Sequence, residues 1–412
     1  MRANVSYPAE FTLRSGQTWR EPWAMYTALR DHDPVHRVRT DRPDRDFWVL
    51  TRHADVTRAA DDWRTFTSTA GLTVTYGELE SLGLADNPPM VMQDPPAHTD
   101  FRKLVARGFT PKQVTDVEPA VRRFVTDRLD VLLDTGEGDV VADLFKPLPS
   151  MVVAHYLGVP ESDRRAFDGW TEAIVGADSS DLARAGEAAS AAVVELMGYF
   201  STLIAYRREH PGDDTVSHLV RAGVGEDGNT EGLLSILAFA FTMVTGGNDT
   251  TTGVLGGATA LLGEHHGQRR ELAVDPGLIV GAIEEFLRLT SPVQGLARTT
   301  TVDTDFETDA GPVTIPAGRK VLLCYGAANR DPRVYGDDAD RLDIHRRPRQ
   351  ILTFSRGGHH CLGAAAARMQ VRVTLEELLR RCPDFEVDAD SITYAKGNYV
   401  RRPTRLLVRT NR

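Results

Sequence analysis

The segment from Phe354 to Gly363, Phe-Ser-Arg-Gly-Gly-His-His-Cys-Leu-Gly, places one cysteine in a glycine-containing loop just ahead of a strongly helical stretch. The dipole and free N–H groups of a helix N-terminus favour a thiolate, and nearby glycines let backbone N–H groups approach the sulfur. Cys361 therefore has the surroundings of a metal ligand or a nucleophile. Cys324 and Cys382 lack them, and we interpret both as small buried hydrophobic residues.

A second polar group lies inside the most apolar part of the chain. Gly246-Gly-Asn-Asp249-Thr250 interrupts the stretch Leu233 to Leu262, which is otherwise apolar on nearly all sides. Each glycine costs a helix about 1 kcal/mol relative to alanine, and the gap exposes backbone carbonyls. An acid beside a hydroxyl could relay protons there. The alternative is a packing notch for a crossing helix.

Two further pairs have helical spacing. Glu285 and Arg288 stand at i, i+3, and His98 and Arg102 stand at i, i+4, so each pair shares one helix face. On spacing alone, a solvated ion pair and ordinary surface cations explain them equally well.

The Cys361 segment resembles the haem-binding loop of the cytochrome P450 family, usually Phe-Gly-x-Gly-x-His-x-Cys-x-Gly. The matching positions are Phe354, Gly357, His359, Cys361 and Gly363. Ser355 stands where the family usually has glycine. The resemblance implies haem b as the cofactor and Cys361 as the axial thiolate ligand of its iron.

The same resemblance gives the other groups roles. Asp249 and Thr250 match the family's oxygen-binding motif, which implies a hydrogen bond from Thr250 to the oxygen and proton relay by Asp249. Glu285 and Arg288 are implied to brace the scaffold beneath the haem, joined by Arg341 or Arg346. The implied partners of the haem propionates are His98, Arg102, Arg298 and His359.

Position in the family also predicts the walls of a substrate pocket, from the segment Leu72 to Met92, the central helix, Val293 to Leu296 and the Tyr399-Val400 turn. The predicted wall residues are Met92, Phe239, Met243, Gly247, Val293 and Leu296. They are mostly apolar, which favours a hydrophobic or aromatic small molecule.

The elements that must position these groups are mostly helices. Apolar residues recur at helical spacing over Glu118 to Leu133 and Ala188 to Arg207, and Leu233 to Leu262 predicts a helix crossing the interior. Hairpins are expected over Val35 to Thr51 and Val313 to Cys324. We therefore expect a mainly α protein with small β-sheets, the cytochrome P450 fold, as a single domain over residues 1–412.

Composition narrows the function classes. The 412 residues carry a net charge of −10, which argues against a broad protein surface that binds nucleic acid or anionic lipid. The N-terminus lacks an apolar segment, and three cysteines make no disulfide framework. The most hydrophobic stretch, Leu233 to Val244, is broken by Ser235 and Thr242 and is shorter than the roughly 20 residues of a membrane span. A cytoplasmic protein is expected. The GxGxxG pattern Gly223–Gly228 follows a helical pattern, so it does not predict a dinucleotide site.

The resemblance implies a monooxygenase that activates O₂ with electrons from a separate ferredoxin and its reductase. A peroxide-driven enzyme of the same fold and a non-catalytic haem sensor or carrier are the alternatives. Because ferredoxins are typically acidic, we expect a basic docking face near Cys361. Its predicted cations are Arg356, Arg368 and Arg372, with Arg107 and Lys112 nearby.

Overall fold

The longest helix is the apolar stretch that contains the two glycines. The computed structural model describes residues 10–176, 187–226 and 228–410. The N-terminal stretch discussed above and Asp227 of the glycine pattern lie outside these ranges. The central helix, α10, is continuous from Thr230 to Glu264. Thus the glycines interrupt the apolar pattern of the helix but not its backbone.

Helices form most of the described chain, and two of the predicted ones are longer than their apolar patterns. The helix predicted from Glu118 is α5, and the one predicted from Ala188 is α8. The helices are α1 (Trp23–His32), α2 (His53–Asp61), α3 (Glu78–Ser81), α4 (Ala97–Val105), α5 (Pro111–Thr135), α6 (Pro147–Leu157), α7 (Arg164–Gly176), α8 (Glu187–Glu209), α9 (Thr215–Arg221), α10 (Thr230–Glu264), α11 (His266–Val274), α12 (Ile279–Thr290), α13 (Tyr325–Ala328), α14 (Pro332–Tyr335) and α15 (Ala364–Arg381).

The strands are short and form three small sheets in the described residues. One sheet has the order β1-β2-β8-β5-β3, the second β4-β10-β9, and the third β6-β7. The strands are β1 (Val35–Val38), β2 (Phe47–Leu50), β3 (Phe66–Thr67), β4 (Glu137–Asp139), β5 (Leu296–Thr300), β6 (Thr304–Thr308), β7 (Gly311–Ile315), β8 (Lys320–Leu323), β9 (Glu386–Tyr394) and β10 (Pro403–Arg409).

One of the two predicted hairpins is present and the other is wrong. β1 and β2 pair antiparallel, with Val35 opposite Leu50. β7 instead pairs with β6, whereas β8 lies between β2 and β5 in another sheet. All four residues of β8 are buried, so this strand gains more from a central position than from its neighbour in sequence.

The apolar core surrounds α10. Two large clusters of buried side chains meet there, one with α5, α12 and α15, and one with α6 to α9. Met243 packs against both clusters. An 18-residue window of α10 has a mean hydropathy of 1.3, and by length and composition the helix could cross a bilayer. Here α10 packs against several other helices and against β9 and β10, as expected of a core helix.

Candidate active site

The loop before α15 is held in one conformation by its own backbone. The N–H group of Cys361 donates to the carbonyl of Phe354 at 2.9 Å, which closes the loop. Gly357 has φ +62°, and a Cβ there would lie 3.0 Å from the carbonyl oxygen of Ala60. Glycine is therefore needed at this position both for its conformation and for space.

The three cysteines differ as the sequence predicted. Cys324 and Cys382 are buried, and burial raises the pKa of the Cys324 thiol to about 12. Cys361 is exposed to solvent, although nearby protein atoms are dense enough for burial to raise its pKa. The Gly363 backbone and the charges of Arg102 and Arg368 act in the opposite direction and favour the thiolate.

Two histidines and two arginines gather beside this loop. The rings of His98 and His359 lie 4.2 Å apart between centroids, and Arg102 donates to the carbonyl of His360 at 2.6 Å. The pKa of His359 falls to about 3 because of burial and the charges of Arg298, His98 and Arg102. The four predicted propionate partners are thus within electrostatic reach of one another.

This cluster lacks the anions that would balance it. His98 is 1% exposed, and neither of its ring nitrogens has a hydrogen-bond partner. Asp94, whose charge favours protonation of His98, already accepts hydrogen bonds from Thr67 and Ser68. Buried donors without partners are costly, so the cluster fits a ligand that brings carboxylates, as the two haem propionates do.

The Glu285–Arg288 pair is a buried brace. Both residues are 0% exposed, and the guanidinium of Arg288 donates to both carboxylate oxygens, at 2.8 and 2.7 Å. Arg346 donates to Glu285 Oε1 at 3.1 Å and is therefore the third member. Arg341, the other residue considered, is exposed. Arg288 also donates to the backbone carbonyls of Asn329 and Ala339.

On α10 the acid and the hydroxyl lie on different faces. Thr250 Oγ1 donates to the carbonyl of Gly246 at 2.8 Å, and a Cβ on Gly246 would meet nothing within 4 Å. Open space therefore lies beside Gly246 and Thr250. Asp249 turns to the other side, where its carboxylate lies 2.8 Å from Arg402 Nε. Arg402 was missed by the sequence analysis, because no local spacing connects it to α10.

Three of the four predicted wall segments are in contact with one another. The N–H of Val74 donates to the Tyr399 hydroxyl at 3.0 Å, the N–H of Ala297 donates to the carbonyl of Leu72, and Val293 forms a bridge with Val400. Half-buried side chains, as a pocket wall requires, are found at Met92, Met243, Val293 and Leu296.

Two predicted wall residues need correction. A Cβ on Gly247 would lie 2.8 Å from Val153, so this glycine packs against α6 and Gly246 is the one that faces open space. Phe239 is 3% exposed and its ring packs against Phe101, so it belongs to the core.

The predicted docking arginines are mostly neutralised within the fold. Arg368 pairs with Glu284 through two contacts of 2.5 and 2.9 Å, and Arg372 pairs with Glu118 and Glu376. Lys112 pairs with its helix neighbour Asp116. Arg356 has a looser contact, 3.6 Å from Asp61, with both side chains partly exposed. Arg107 lies at a cleft of about 430 Å³ that also has Arg221 and His218 in its lining.

Comparison with known proteins decides the family. The family model described as Cytochrome P450 matches residues 278–399 of this chain. Cytochrome P450 130 of Mycobacterium tuberculosis is 64% identical over 395 residues, which cover 96% of each chain. The chain belongs to the cytochrome P450 family.

Two other comparisons agree. Vitamin D(3) 25-hydroxylase of Pseudonocardia autotrophica is 35% identical over 405 residues, covering 96% of this chain and 95% of that protein. The crystal structure of CYP109E1 from Bacillus megaterium in complex with corticosterone superposes with a TM-score of 0.82 at 30% identity, covering 96% of this chain and 100% of that one. The predicted P450 fold is confirmed.

Membership establishes the class of chemistry. Cytochromes P450 are monooxygenases that bind haem through a cysteine thiolate, so this chain is a haem-dependent oxidoreductase. Bacterial members of the family use redox partners and hydrophobic substrates.

Proposed function

We propose that this P450 hydroxylates a hydrophobic small molecule, using O₂ and electrons from a separate ferredoxin and its reductase. Cys361 would hold the haem iron, and His98, Arg102, Arg298 and His359 would bind its propionates. The observation that carries this assignment is the exposed Cys361 just before α15, beside a buried His98 whose ring nitrogens have no hydrogen-bond partner. Bound haem supplies oxygen activation, with the thiolate favouring O–O cleavage.

The residues of α10 would manage protons. The Thr250 hydroxyl, which lies beside the open space at Gly246, would turn from the Gly246 carbonyl and donate to oxygen. Asp249, which lies on another face of α10 beside Arg402, would take protons from the solvent and, after its side chain turns, pass them to this hydroxyl. An acid next to a hydroxyl supports the monooxygenase over a peroxide-driven enzyme, which needs no relay of protons to O₂.

The pocket wall supports an apolar substrate. Met92, Met243, Val293 and Leu296 are partly exposed, and the wall segments are joined by backbone hydrogen bonds. Two of the similar proteins are described with vitamin D3 and corticosterone, both large alicyclic molecules. We propose a substrate of this general kind, processed in the cytoplasm by a chain that acts as one domain around α10.

The thiolate assignment is tested by the absorption spectrum of the reduced, CO-bound protein. Cys361→Ser should lose the thiolate signature and monooxygenation. Cys324→Ser is the matched control, because that cysteine is buried elsewhere and should affect only packing. Retention of the thiolate signature by Cys361→Ser would show that the assignment is wrong.

A further inference from the structure

Asp249 is paired with an arginine from the far end of the chain. Arg402 Nε lies 2.8 Å from Asp249 Oδ1, and the two side chains are 9% and 22% exposed. Removing one partner of such a shielded pair leaves a poorly solvated charge. The loss therefore changes the protonation of the remaining group more than the loss of a surface ion pair would.

The shape of α10 makes this contact possible. Asp249, Gly253 and Gly256 share one face of the helix, at i, i+4 and i+7. A Cβ on Gly253 would lie 3.1 Å from the backbone carbonyl oxygen of Arg401. A Cβ on Gly256 would lie 2.9 Å from the side chain of Pro403. The two glycines let this segment lie along the helix, close enough for Arg402 to reach Asp249.

The segment that presents Arg402 is fixed on both sides. The N–H of Arg401 donates to the carbonyl of Pro292 at 2.7 Å, and the N–H of Ala395 donates to the carbonyl of Arg402 at 3.1 Å. Val400, which precedes Arg401, forms the bridge with Val293 in the pocket wall. The backbone that carries the Arg402 side chain is therefore held in place.

We propose that Arg402 is a positioning residue for proton delivery, which orients the Asp249 carboxylate and keeps it ionised and ready to accept a proton. The inference rests on the proposed relay role of Asp249 and Thr250. In this step the carboxylate takes one proton from a hydronium ion of the solvent, which becomes water. The Asp249 side chain then turns and gives that proton to the Thr250 hydroxyl, which passes its own proton on. No electrons move, and Arg402 keeps all its protons.

The charges around Asp249 agree with this role. Burial raises the pKa of the Asp249 carboxyl, and Arg402 is the main influence that lowers it. Lys146 also lowers it, but more weakly, and its ammonium group is 2.8 Å from Glu172. Without Arg402 the carboxyl would therefore be protonated at a higher pH than in the parent protein.

The test measures the protonation of Asp249 directly. In protein labelled with ¹³C-aspartate, the infrared difference between the parent and Asp249→Asn identifies the carboxyl band, and its titration gives the midpoint. Arg402→Gln should move the midpoint to higher pH, and Arg402→Lys should restore part of the shift. Arg405→Gln is the control, an exposed arginine of β10 that makes no ion pair with Asp249. Thermal unfolding and haem content identify any variant that fails to fold, and Arg402→Lys then carries the test.

The same variants are then assayed for turnover against pH. The acid limb of the profile for Arg402→Gln should move in the same direction as the infrared midpoint, with a fall in turnover of up to about 10²-fold at neutral pH. An unchanged infrared midpoint in folded Arg402→Gln overturns the inference about Arg402. A shifted midpoint with an unshifted pH profile overturns the relay role of Asp249 instead, and with it the function proposed for the pair.

Discussion

At Ser355 the backbone has φ +56°, a conformation that favours glycine and costs other residues about 1–2 kcal/mol. The serine hydroxyl lies 3.1 Å from the Tyr325 hydroxyl, and this hydrogen bond offsets much of that cost. The family's usual glycine would remove both effects.

Ser355→Gly should therefore change the free energy of unfolding little in the parent protein. In a Tyr325→Phe background, where the hydrogen bond is already lost, the same change should stabilise the protein by about 0.5–1 kcal/mol. Urea unfolding of the four proteins in the cycle measures the difference. Equal effects in the two backgrounds would mean that the hydroxyl pair contributes nothing.

Thr250→Ala should separate electron consumption from product formation. Without the hydroxyl, protons are delivered incorrectly, so NAD(P)H is still consumed but hydrogen peroxide is released. The measurement is product and peroxide per NAD(P)H, in the presence of a ligand that shifts the haem spin state. Thr250→Ser keeps the hydroxyl and should stay coupled, and a coupled Thr250→Ala would remove this residue from the relay.

The sequence could identify residues of fixed spacing but not partners that folding brings together. Cys361 is visible because its loop has a characteristic pattern. Arg402 is more than 150 positions from Asp249 in sequence, and nothing local connects them. Choosing between Gly246 and Gly247 needed the position of α6, because adjacent residues of a helix point about 100° apart and only packing shows which side is open.

At the scale of elements, Lys320 joins strand β8 to the segment that leads to the pocket wall. It is 1% exposed, and its ammonium group donates to the carbonyl of Ala70 at 2.5 Å. Its backbone N–H donates to the hydroxyl of Tyr76, which in turn donates to the carbonyl of Asp46. The chain between residues 70 and 76 is thus attached to the sheet at two points.

Burial lowers the pKa of Lys320 to about 8, while Glu78 and Glu80 act weakly against this change. Between pH 8 and the ordinary lysine value the unfolded chain binds the proton and the folded chain does not. The folded state therefore gains stability as pH rises through this window, by roughly 1.4 kcal/mol per unit at most. Below pH 8 the cost of burying the charge is fully present.

Comparison with Lys320→Met isolates this effect, because every other group titrates in both proteins. The stability of the parent relative to the variant should rise between pH 8 and pH 10, measured by urea unfolding at each pH. A constant difference across the window would show that Lys320 titrates normally.

The sheets show why short strands are hard to place from sequence. The alternation of β7 fits a two-stranded ribbon with one exposed face, and it was recognisable as a strand. The strand that pairs with β7 could not be predicted from the sequence, because the choice between β6 and β8 depends on which strand the interior can accommodate. The long helices were easier, since a 3.6-residue pattern over 15 or more residues is a local signal.

At the scale of the whole molecule, the net charge of −10 hides an uneven distribution. Arg368 and Arg372 are neutralised by carboxylates of their own fold, so they hold α15 to α12 and α5 and do not offer free charge. Arg356 is held loosely, and Arg107 has solvent around it at the basic cleft. Of the predicted docking cations, Arg356 and Arg107 therefore offer the positive charge to which an acidic redox partner would be attracted.

Arg356→Glu should slow electron transfer from a reduced ferredoxin and weaken its dependence on salt. In the parent, the association rate should fall as ionic strength rises through about 0.15 M, where the Debye length is about 8 Å. Stopped-flow reduction of the haem at several salt concentrations measures both quantities.

The control is Arg405→Glu, an equal change of charge at an exposed residue of β10. The haem spectrum of both variants should match the parent, because neither side chain belongs to the propionate cluster. A rate that is independent of salt, with Arg356→Glu behaving like the parent, would require a mainly apolar docking face, since Arg368 and Arg372 are already paired.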